Sequence, residues 1–280
     1  MKRFPIYEVM KGSPMEAGLN GIYSKMPKEK VRMPVKSAAE AFRLAADGEE
    51  EFFNIIKELT KNIKDADTSK GRIKGIGSLE RKCRDFGLEV ADLDDVSGKM
   101  IIVKTIEDEE AIAKMLKDDD RVFRIFDYMT SDDSGGYYAI HANYKLSNGL
   151  VAELQIITIR CMVYKSLVGH IIYEARREIY PKRNEKEYKA VYDKLNEILE
   201  AGFLECRKAD EEHTKIPQPK IDLSDEELDL IKKAVTENTW TRFEYLLDKR
   251  TKEINTKLTD KEKDLVEHKS LYEYIADSLK

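Results

Sequence analysis

Four apolar segments in the middle of the chain have the composition and alternation that are typical of β-strands. They cover residues 100–104, 122–128, 138–146 and 150–157, with turn or helix signals between them. Ser147-Asn148-Gly149 is typical of a hairpin turn joining the last two segments. Because residues two apart in a strand share a face, Glu153 and Gln155 are predicted to lie on one side of the final strand.

Helical signals flank these strands. Ser37 to Glu40 is a capping-box signature that opens a helical stretch to about residue 64, which a break at Gly48 would divide. A short helix is predicted to end at about residue 86, and further helices are predicted at 108–116, 159–180 and 185–208. Pro181 ends the helix at 159–180. The stretch before Pro34 shows no repeat and is predicted to be extended.

A helical tail is predicted after the linker Ile216-Pro217-Gln218-Pro219. Ser224 and Thr259 each open a capping signature for one helix. Between them lies an apolar stripe at helical spacing, which comprises Trp240, Phe243, Leu246 and Leu247. This stripe is predicted to be the face that docks the tail on the rest of the chain or on a partner.

Composition describes a globular protein with a heavily charged surface. Charged residues make up 37% of the 280 residues and the net charge is −5, which argues against indiscriminate nucleic-acid binding. A local basic patch at residues 25–32 is compatible with that charge. Cys83, Cys161 and Cys206 form an odd set without metal-ligand spacing, so reduced thiols and a cytoplasmic location are expected. Neither a signal peptide nor a membrane span is predicted.

Cations surround the start of the helix that ends near residue 86. Arg72 and Lys74 precede Ser78-Leu79-Glu80-Arg81-Lys82. Helix N-termini favour anions, and Lys and Arg add charge and donors, so this group is a candidate polyphosphate site. A solvated basic helix face is the alternative.

Two acids stand where a metal or a proton could be bound. Asp95 lies at the mouth of an apolar strand, and Mg²⁺ prefers one or two carboxylates together with phosphate oxygens of the substrate. Glu153 can ligate Mg²⁺ or accept a proton. The alternatives are a turn-capping role for Asp95 and an ordinary edge strand with a hydrated polar face for Glu153.

A polar, glycine-bearing loop follows Asp127-Tyr128 and ends at Tyr137-Tyr138. A tyrosine presented by such a loop can stack a nucleobase, which contributes about 1–3 kcal/mol per base. The alternative is an ordinary hairpin loop whose tyrosines pack on the sheet.

In this order, the motifs resemble the synthetase domain of the RelA/SpoT pyrophosphokinases over about residues 50–180. That pattern runs R-x-K, S-x-x-R-K, D-x-x-G-x-R, D-Y, G-Y followed by H, and E-V-Q. The resemblance implies an α+β fold, with a mixed sheet of about five strands flanked by helices in the manner of nucleotidyltransferases. It also implies an enzyme that transfers pyrophosphate from ATP with the help of Mg²⁺.

The resemblance assigns a role to each matching residue. The residues matched to ATP binding are Arg72, Lys74, Ser78, Arg81 and Lys82. Asp95 and Glu153 match the metal-binding acids, and Glu153, with Gln155 beside it, also matches the group that activates the acceptor hydroxyl. The residues matched to substrate binding are Tyr128, Tyr137, which stacks the acceptor base, and His141. Tyr164, His170 and Tyr173 match an aromatic-His-Tyr set on the following helix.

Departures from the pattern concern mainly the acceptor. The family arginine after D-x-x-G falls on Met100, which removes one cation of the donor site. Cations expected near the acceptor are replaced by Phe126, Tyr138 and Ile157, and the loop carries Asp132-Asp133. An acceptor without a free 5′ polyphosphate would meet less repulsion here. The 3′-CCA end of tRNA, the acceptor in the toxin-like branch of the family, is therefore favoured.

Other acceptors and another class of function stay open. GDP or GTP would make the chain a (p)ppGpp synthetase, and an adenosine nucleotide is a further possibility. A catalytically inactive module that senses nucleotide or binds a partner would not need both metal acids.

The domain plan places an N-terminal extension at 1–36, the pyrophosphokinase domain at 37–212 and a helical region at 213–280. An antitoxin protein, or inhibition by the C-terminal helices through Tyr272 and Tyr274, would control a toxin-like enzyme.

Overall fold

The computed structural model describes residues 18–68, 71–131, 137–214 and 221–247. The chain divides into two compact units. The first comprises residues 1–134 and 138–159, and the second comprises 135–137 and 160–280. The predicted domain boundaries at 36/37 and 212/213 stay predictions.

A five-stranded mixed sheet forms the centre of the first unit. Its strands are β1 Gly71–Ile73, β2 Ser97–Val103, β3 Val122–Asp127, β4 Ile140–Lys145 and β5 Val151–Thr158, in the spatial order β1-β2-β5-β4-β3. Only β2 and β5 are parallel, and the other neighbours are antiparallel. Helices flank the sheet, which confirms the predicted α+β fold.

The four strands predicted from the sequence are present, and the short strand β1 was not predicted. Three residues, two of them exposed, leave too few positions for an alternating pattern to show. β1 is defined instead by its antiparallel pairing with β2, in which Arg72 lies opposite Gly98.

The described part of the first unit has three α-helices, which are α1 Ala38–Thr60, α2 Ile76–Phe86 and α3 Ile106–Asp118, and a 3₁₀ turn at Val90–Asp92. Ser37 caps α1 by accepting a hydrogen bond from the backbone N–H of Glu40. The predicted break at Gly48 is wrong, because α1 continues through this buried residue. A Cβ at Gly48 would lie 3.2 Å from side-chain atoms of Leu146 and Leu150, so glycine permits close packing here.

One face of the sheet carries the apolar core of this unit. Ala142, Tyr144, Leu154 and Ile156 alternate along β4 and β5 and are fully buried. The ring of Phe52 on α1 lies 6.0 Å from the ring of Tyr144, an aromatic contact that adds to the area they bury. The residues between them on these strands face the opposite side and are largely polar.

The second unit contains a helix with an internal π-helical turn. It runs through α4 Ile159–Tyr164, the π segment Lys165–Gly169 and α5 His170–Ile179. A 3₁₀ turn at Tyr180–Lys182 contains Pro181 and ends it, as predicted. The charged helix α6, Lys186–Glu211, follows. The three cysteines of the chain are free thiols, and burial raises the pKa of Cys206 to about 12.

The tail begins with α7 Asp225–Ala234 and α8 Glu237–Tyr245. Ser224 and Glu227 form the predicted capping box of α7. Both helices pack against α5 and bury Ile231, Phe243 and Leu246. Thr259, Tyr272 and Tyr274 lie outside the described residues, so the inhibitory tail stays a prediction.

The segment 18–34 has no helix or extended strand and pairs with β3 through one bridge between Lys25 and Ile125. No helix in the described part of the chain is both long and apolar enough to cross a membrane.

Packing inside the second unit gives a stability prediction at Gly202 on α6. Alanine there should raise helix propensity by about 1 kcal/mol, but its Cβ would overlap the hydroxyl of Tyr164. Overpacking of this kind costs about 1–3 kcal/mol, so Gly202→Ala should lower the midpoint of thermal unfolding. The exposed neighbour Glu200→Ala should leave it almost unchanged. A Gly202→Ala variant more stable than the wild type would contradict this packing.

Candidate active site

The polar face of the sheet presents one row of five aligned residues. The pairing registers place Arg72 opposite Gly98, Gly98 opposite Glu153, Glu153 opposite Asn143, and Asn143 opposite Arg124. Residues opposite each other on neighbouring strands share a face. Glu153 therefore lies at the centre of the row with an arginine at each end.

Gly98 leaves an opening between Arg72 and Glu153. It has no side chain, and a Cβ built there would lie 3.9 Å from Oε2 of Glu153. That is ordinary contact distance, so the backbone at Gly98 does not require glycine for steric reasons. The missing side chain gives a ligand access to the Glu153 carboxylate from the β1 side.

A second row, two residues along the strands, supports Glu153. It contains Met100, Gln155, His141 and Phe126. The Gln155 side-chain amide donates to Oε2 of Glu153 at 2.9 Å, and Nδ1 of His141 lies 3.5 Å from Oε1. The Tyr128 ring contacts the His141 ring edge-on at 5.3 Å. The predicted residues Glu153, Gln155, His141 and Tyr128 are thus brought together.

Lys74 and Lys82 converge on Asp95. Both ammonium groups bind Oδ2 of Asp95, with Lys82 at 2.8 Å. Lys74 follows β1 and its backbone N–H donates to the carbonyl of Val96, whereas Lys82 comes from α2. Lys82 also lies 3.6 Å from the carboxylate of Asp94. These contacts place two predicted phosphate-binding cations beside the predicted metal-binding acid.

The acids around Lys82 keep its ammonium group charged. Burial acts to lower the pKa of Lys82, but Asp94 and Asp95 outweigh it, and Glu153 adds to their effect. The pKa is therefore raised above its ordinary value. Lys82 and the Glu153 carboxylate therefore belong to one electrostatic site, which Lys74 joins through Asp95, the acid that it shares with Lys82.

Asp95 has the free oxygen that a metal ligand requires. Its Oδ1 atom is buried and has no hydrogen-bond partner among the described residues, although an unpaired buried carboxylate oxygen is costly. The described residues hold no group of three or more His, Cys, Asp or Glu side chains that could bind a metal by themselves. Mg²⁺ held by one or two carboxylates and substrate oxygens fits this arrangement.

The remaining predicted donor residues are exposed around this cluster. Arg72 lies on the edge strand β1, and Ser78 and Arg81 lie on the first turns of α2. The N-cap of α2 is Gly75, which provides no side-chain cap for the first backbone N–H groups. These N–H groups can therefore bind an anion.

The structure adds residues that the sequence did not identify as part of the site. Arg124 is 7% exposed and binds the Asp94 carboxylate, and its Nε donates to Oδ1 of Asn143 at 2.8 Å. Asn143 in turn donates to the carbonyl of Asp94 at 3.0 Å. The sequence signal was a lone arginine within the apolar strand VFRIFD.

Lys99 points away from this site and binds Glu49 on α1, and Ser97 donates to the same carboxylate at 2.8 Å.

Tyr137 belongs to the second unit. Its hydroxyl accepts a hydrogen bond from Nζ of Lys165 at 2.9 Å, and its ring contacts Phe203 edge-on at 5.1 Å. Tyr164 is buried, and its hydroxyl donates to the carbonyl of Ile198.

His170 and Tyr173 are exposed on α5 with stacked rings. Neighbouring side chains partly desolvate the half-exposed ring of His170 and lower its pKa; Glu174 opposes this shift, and nearby cations add to it.

Residues 71–178 match the family described as the region found in RelA and SpoT proteins. This segment begins with β1, contains the whole sheet and ends within α5. No curated protein is significantly similar to the chain.

Several solved structures are similar to part of the chain. Small alarmone synthetase 1 from Bacillus subtilis bound to its product pppGpp is 20% identical over 62% of this chain and 91% of its own, with a TM-score of 0.44. Small alarmone synthetase 2 from Bacillus subtilis is 26% identical over 61% and 91%, with a TM-score of 0.40. The type VI effector Tas1, in complex with its immunity protein, is 16% identical over 44% and 62%, with a TM-score of 0.39. At these TM-scores the likeness to solved structures carries no argument, so the similarity to RelA and SpoT proteins rests on the match of residues 71–178.

The opening at Gly98 gives a binding prediction. Gly98→Val should fill the space between Arg72 and Glu153 and weaken binding of the α,β-methylene analogue of ATP about tenfold or more, measured by calorimetry. Valine suits a strand, so the unfolding midpoint should be retained. Gly98→Ala is the matched control, since its Cβ meets Glu153 only at ordinary contact distance. A folded valine variant with wild-type affinity would show that the nucleotide does not use this opening.

Proposed function

We propose that this chain transfers the β,γ-pyrophosphate of ATP to a ribose 3′-hydroxyl. The match of residues 71–178 to the region found in RelA and SpoT proteins, a family of ATP-dependent pyrophosphotransferases, supports this proposal. The observation that carries this proposal is the electrostatic site in which Lys74, Lys82 and Asp95 lie with Glu153. An inactive nucleotide-sensing or partner-binding module would have no need to keep both acids in this arrangement.

The donor site binds ATP by exchanging ion-pair partners. In the structure, Lys74 and Lys82 form ion pairs with Asp95. When ATP binds, its phosphate oxygens would replace Asp95 as the partners of these two ammonium groups. Arg72, Arg81 and Ser78 add donors at the rim, next to the open N-terminus of α2. Asp95, through its unpaired Oδ1, would hold Mg²⁺ together with Glu153. Bound Mg²⁺ would neutralise charge on the phosphates.

Glu153 is the proposed general base. Its carboxylate removes the proton of the acceptor 3′-hydroxyl as the oxygen attacks the β-phosphorus of ATP. The new O–P bond forms while the bond from the β-phosphorus to the α,β-bridging oxygen breaks, and AMP leaves with that electron pair. Gln155 and His141 hold the carboxylate in position, so that its orientation is set before the substrate binds.

For the acceptor we propose the 3′-CCA end of tRNA. Phe126 and Ile157 replace cations that the family pattern has near the acceptor, and both are buried apolar side chains. They offer no charge to a 5′ polyphosphate. Asp132-Asp133, the other part of this argument, lies outside the described residues. GDP or GTP remains the second candidate, because the family includes alarmone synthetases.

The basic stretch near the N-terminus is partly neutralised. Lys30 lies 2.7 Å from Asp92, and Arg32 binds both Asp92 at 2.8 Å and Glu89. We propose that Lys28, Lys30 and Arg32 hold the body of the tRNA through its phosphates. Those phosphates would have to compete with the carboxylates of Asp92 and Glu89, and of these three cations only Lys28 has no ion pair among the described residues. The pair between Arg32 and Glu89 is exposed on both sides, and such pairs contribute only about 0–1 kcal/mol, whereas the Asp92 side chain is largely buried.

Glu153→Gln tests the chemistry. The amide cannot accept the hydroxyl proton, so release of AMP from ATP should fall about 10²-fold or more. The fold should be retained, because the substitution keeps the size of a partly exposed side chain. Thin-layer analysis of labelled nucleotide gives the rate, and Glu50→Gln, at an exposed position on α1, is the control. Activity above about a tenth of the wild type would exclude Glu153 as the base.

The acceptor is tested by labelling each candidate in turn with γ-labelled ATP. Label should enter tRNA, in a salt-dependent reaction, and GDP and GTP should stay unlabelled. Tyr137→Ala should prevent this transfer and leave the affinity for the ATP analogue unchanged, if Tyr137 stacks the terminal base. Synthesis of ppGpp or pppGpp without labelled tRNA would return the protein to the alarmone synthetases.

A further inference from the structure

A β-bulge in β3 brings Arg124 to the polar face of the sheet. Val122 pairs with Tyr144 and Arg124 pairs with Asn143, so two steps along β3 match one step along β4. Without the extra residue, the strand alternation would place Arg124 on the apolar face, opposite Ala142. The bulge instead leaves Val122 and Ile125 in the core and turns Arg124 toward the row of Asn143 and Glu153.

The guanidinium of Arg124 is buried yet incompletely used. Nε donates to Asn143 and Nη2 binds Asp94, whereas the other terminal nitrogen, Nη1, has no hydrogen-bond partner among the described residues. The planar group also lies over the ring of Phe126, with its central carbon 5.0 Å from the ring centroid. These contacts fix the orientation of the side chain and leave one donor group available.

Arg124 is connected to the donor cations through Asp94. The same carboxylate binds Arg124 and lies 3.6 Å from Lys82, which in turn shares Asp95 with Lys74. Met100 on β2 stands where the family pattern has an arginine, and it is a buried apolar residue. The chain therefore lacks one donor cation on β2 and has an unforeseen one on β3, on the same face.

We propose that Arg124 is a phosphate-binding residue of the donor site, with Nη1 donating to a phosphate oxygen of ATP. This inference rests on the proposed function. The fixed orientation of Arg124 favours a planar, directional contact, which the flexible ammonium groups of Lys74 and Lys82 do not provide. The bulge thus supplies from β3 the cation that is missing from β2.

Calorimetry of the full chain with Mg²⁺ and the α,β-methylene analogue of ATP tests this contact. Arg124→Met keeps the length of the side chain and should weaken binding about 10- to 100-fold, the range for hydrogen bonds between charged groups. Lys74→Ala is the reference for a donor cation. Arg43→Met, at an exposed position on α1, is the matched control and should bind as the wild type does.

Further variants separate a direct contact from an effect on folding or on Asp94. Arg124→Met leaves Lys82, at 3.6 Å, as the remaining cation beside the Asp94 carboxylate, which can destabilise the fold. The double variant Asp94→Asn/Arg124→Met removes both charges and serves if the single variant unfolds. Asp94→Asn alone keeps the guanidinium and leaves a side-chain oxygen that can accept from it, so this variant should lose less affinity for the analogue than Arg124→Met does. If Arg124 acted only by holding Asp94, this variant would lose as much affinity as Arg124→Met.

The outcomes distinguish this inference from the proposed function. A folded Arg124→Met or double variant that binds the ATP analogue within twofold of the wild type overturns the role of Arg124 and leaves the enzyme in place. An Arg124→Met variant that loses GDP or GTP binding but keeps the affinity for the ATP analogue also overturns the proposal, because Arg124 would then bind the acceptor. Failure of the wild type to bind the analogue at all contradicts the proposed function instead.

Discussion

Two adjacent carboxylates, Asp94 and Asp95, carry the arrangement on which the site depends. They bind Lys74, Lys82 and Arg124, three cations that would otherwise repel one another in a partly buried space. Like charges at such distances cost several kcal/mol when water is excluded. The acids therefore allow a high density of positive charge in this space and fix where each cation lies, as the proposed binding of a polyphosphate would require.

The sheet separates this charge from the apolar core by strand alternation. The polar residues of β4 and β5 alternate with the buried apolar ones; they are His141, Asn143, Glu153 and Gln155. Across the two strands, Asn143 lies opposite Glu153 and His141 lies opposite Gln155. Rows on neighbouring strands are fixed by backbone pairing, so the side chains need little reordering when a ligand binds. Arg124 is the exception, because its place in the row depends on one additional residue in β3.

Features that depend on the local sequence pattern could be predicted from the sequence. Features that depend on tertiary contacts or on the pairing register of the strands could not. The four longer strands, the caps at Ser37 and Ser224 and the shared face of Glu153 and Gln155 follow from alternation and capping chemistry. The continuous helix through Gly48 does not, because the close approach of Leu146 and Leu150 is a tertiary contact. Arg124 was missed for a related reason: nothing in VFRIFD indicates which residue of β3 is unpaired.

Charge balance explains how the site would accept the triphosphate of the proposed reaction without a change of fold. The five groups Lys74, Lys82, Arg124, Asp94 and Asp95 carry three positive and two negative charges, so together they have only a small net charge. If phosphate oxygens replaced Asp95 as the partners of Lys74 and Lys82, that carboxylate would have both oxygens available for the proposed divalent cation. Asp94 stays bound to Arg124 and keeps the guanidinium in position. The neighbouring acids therefore differ in function, because a fixed arginine holds one and exchangeable lysines hold the other.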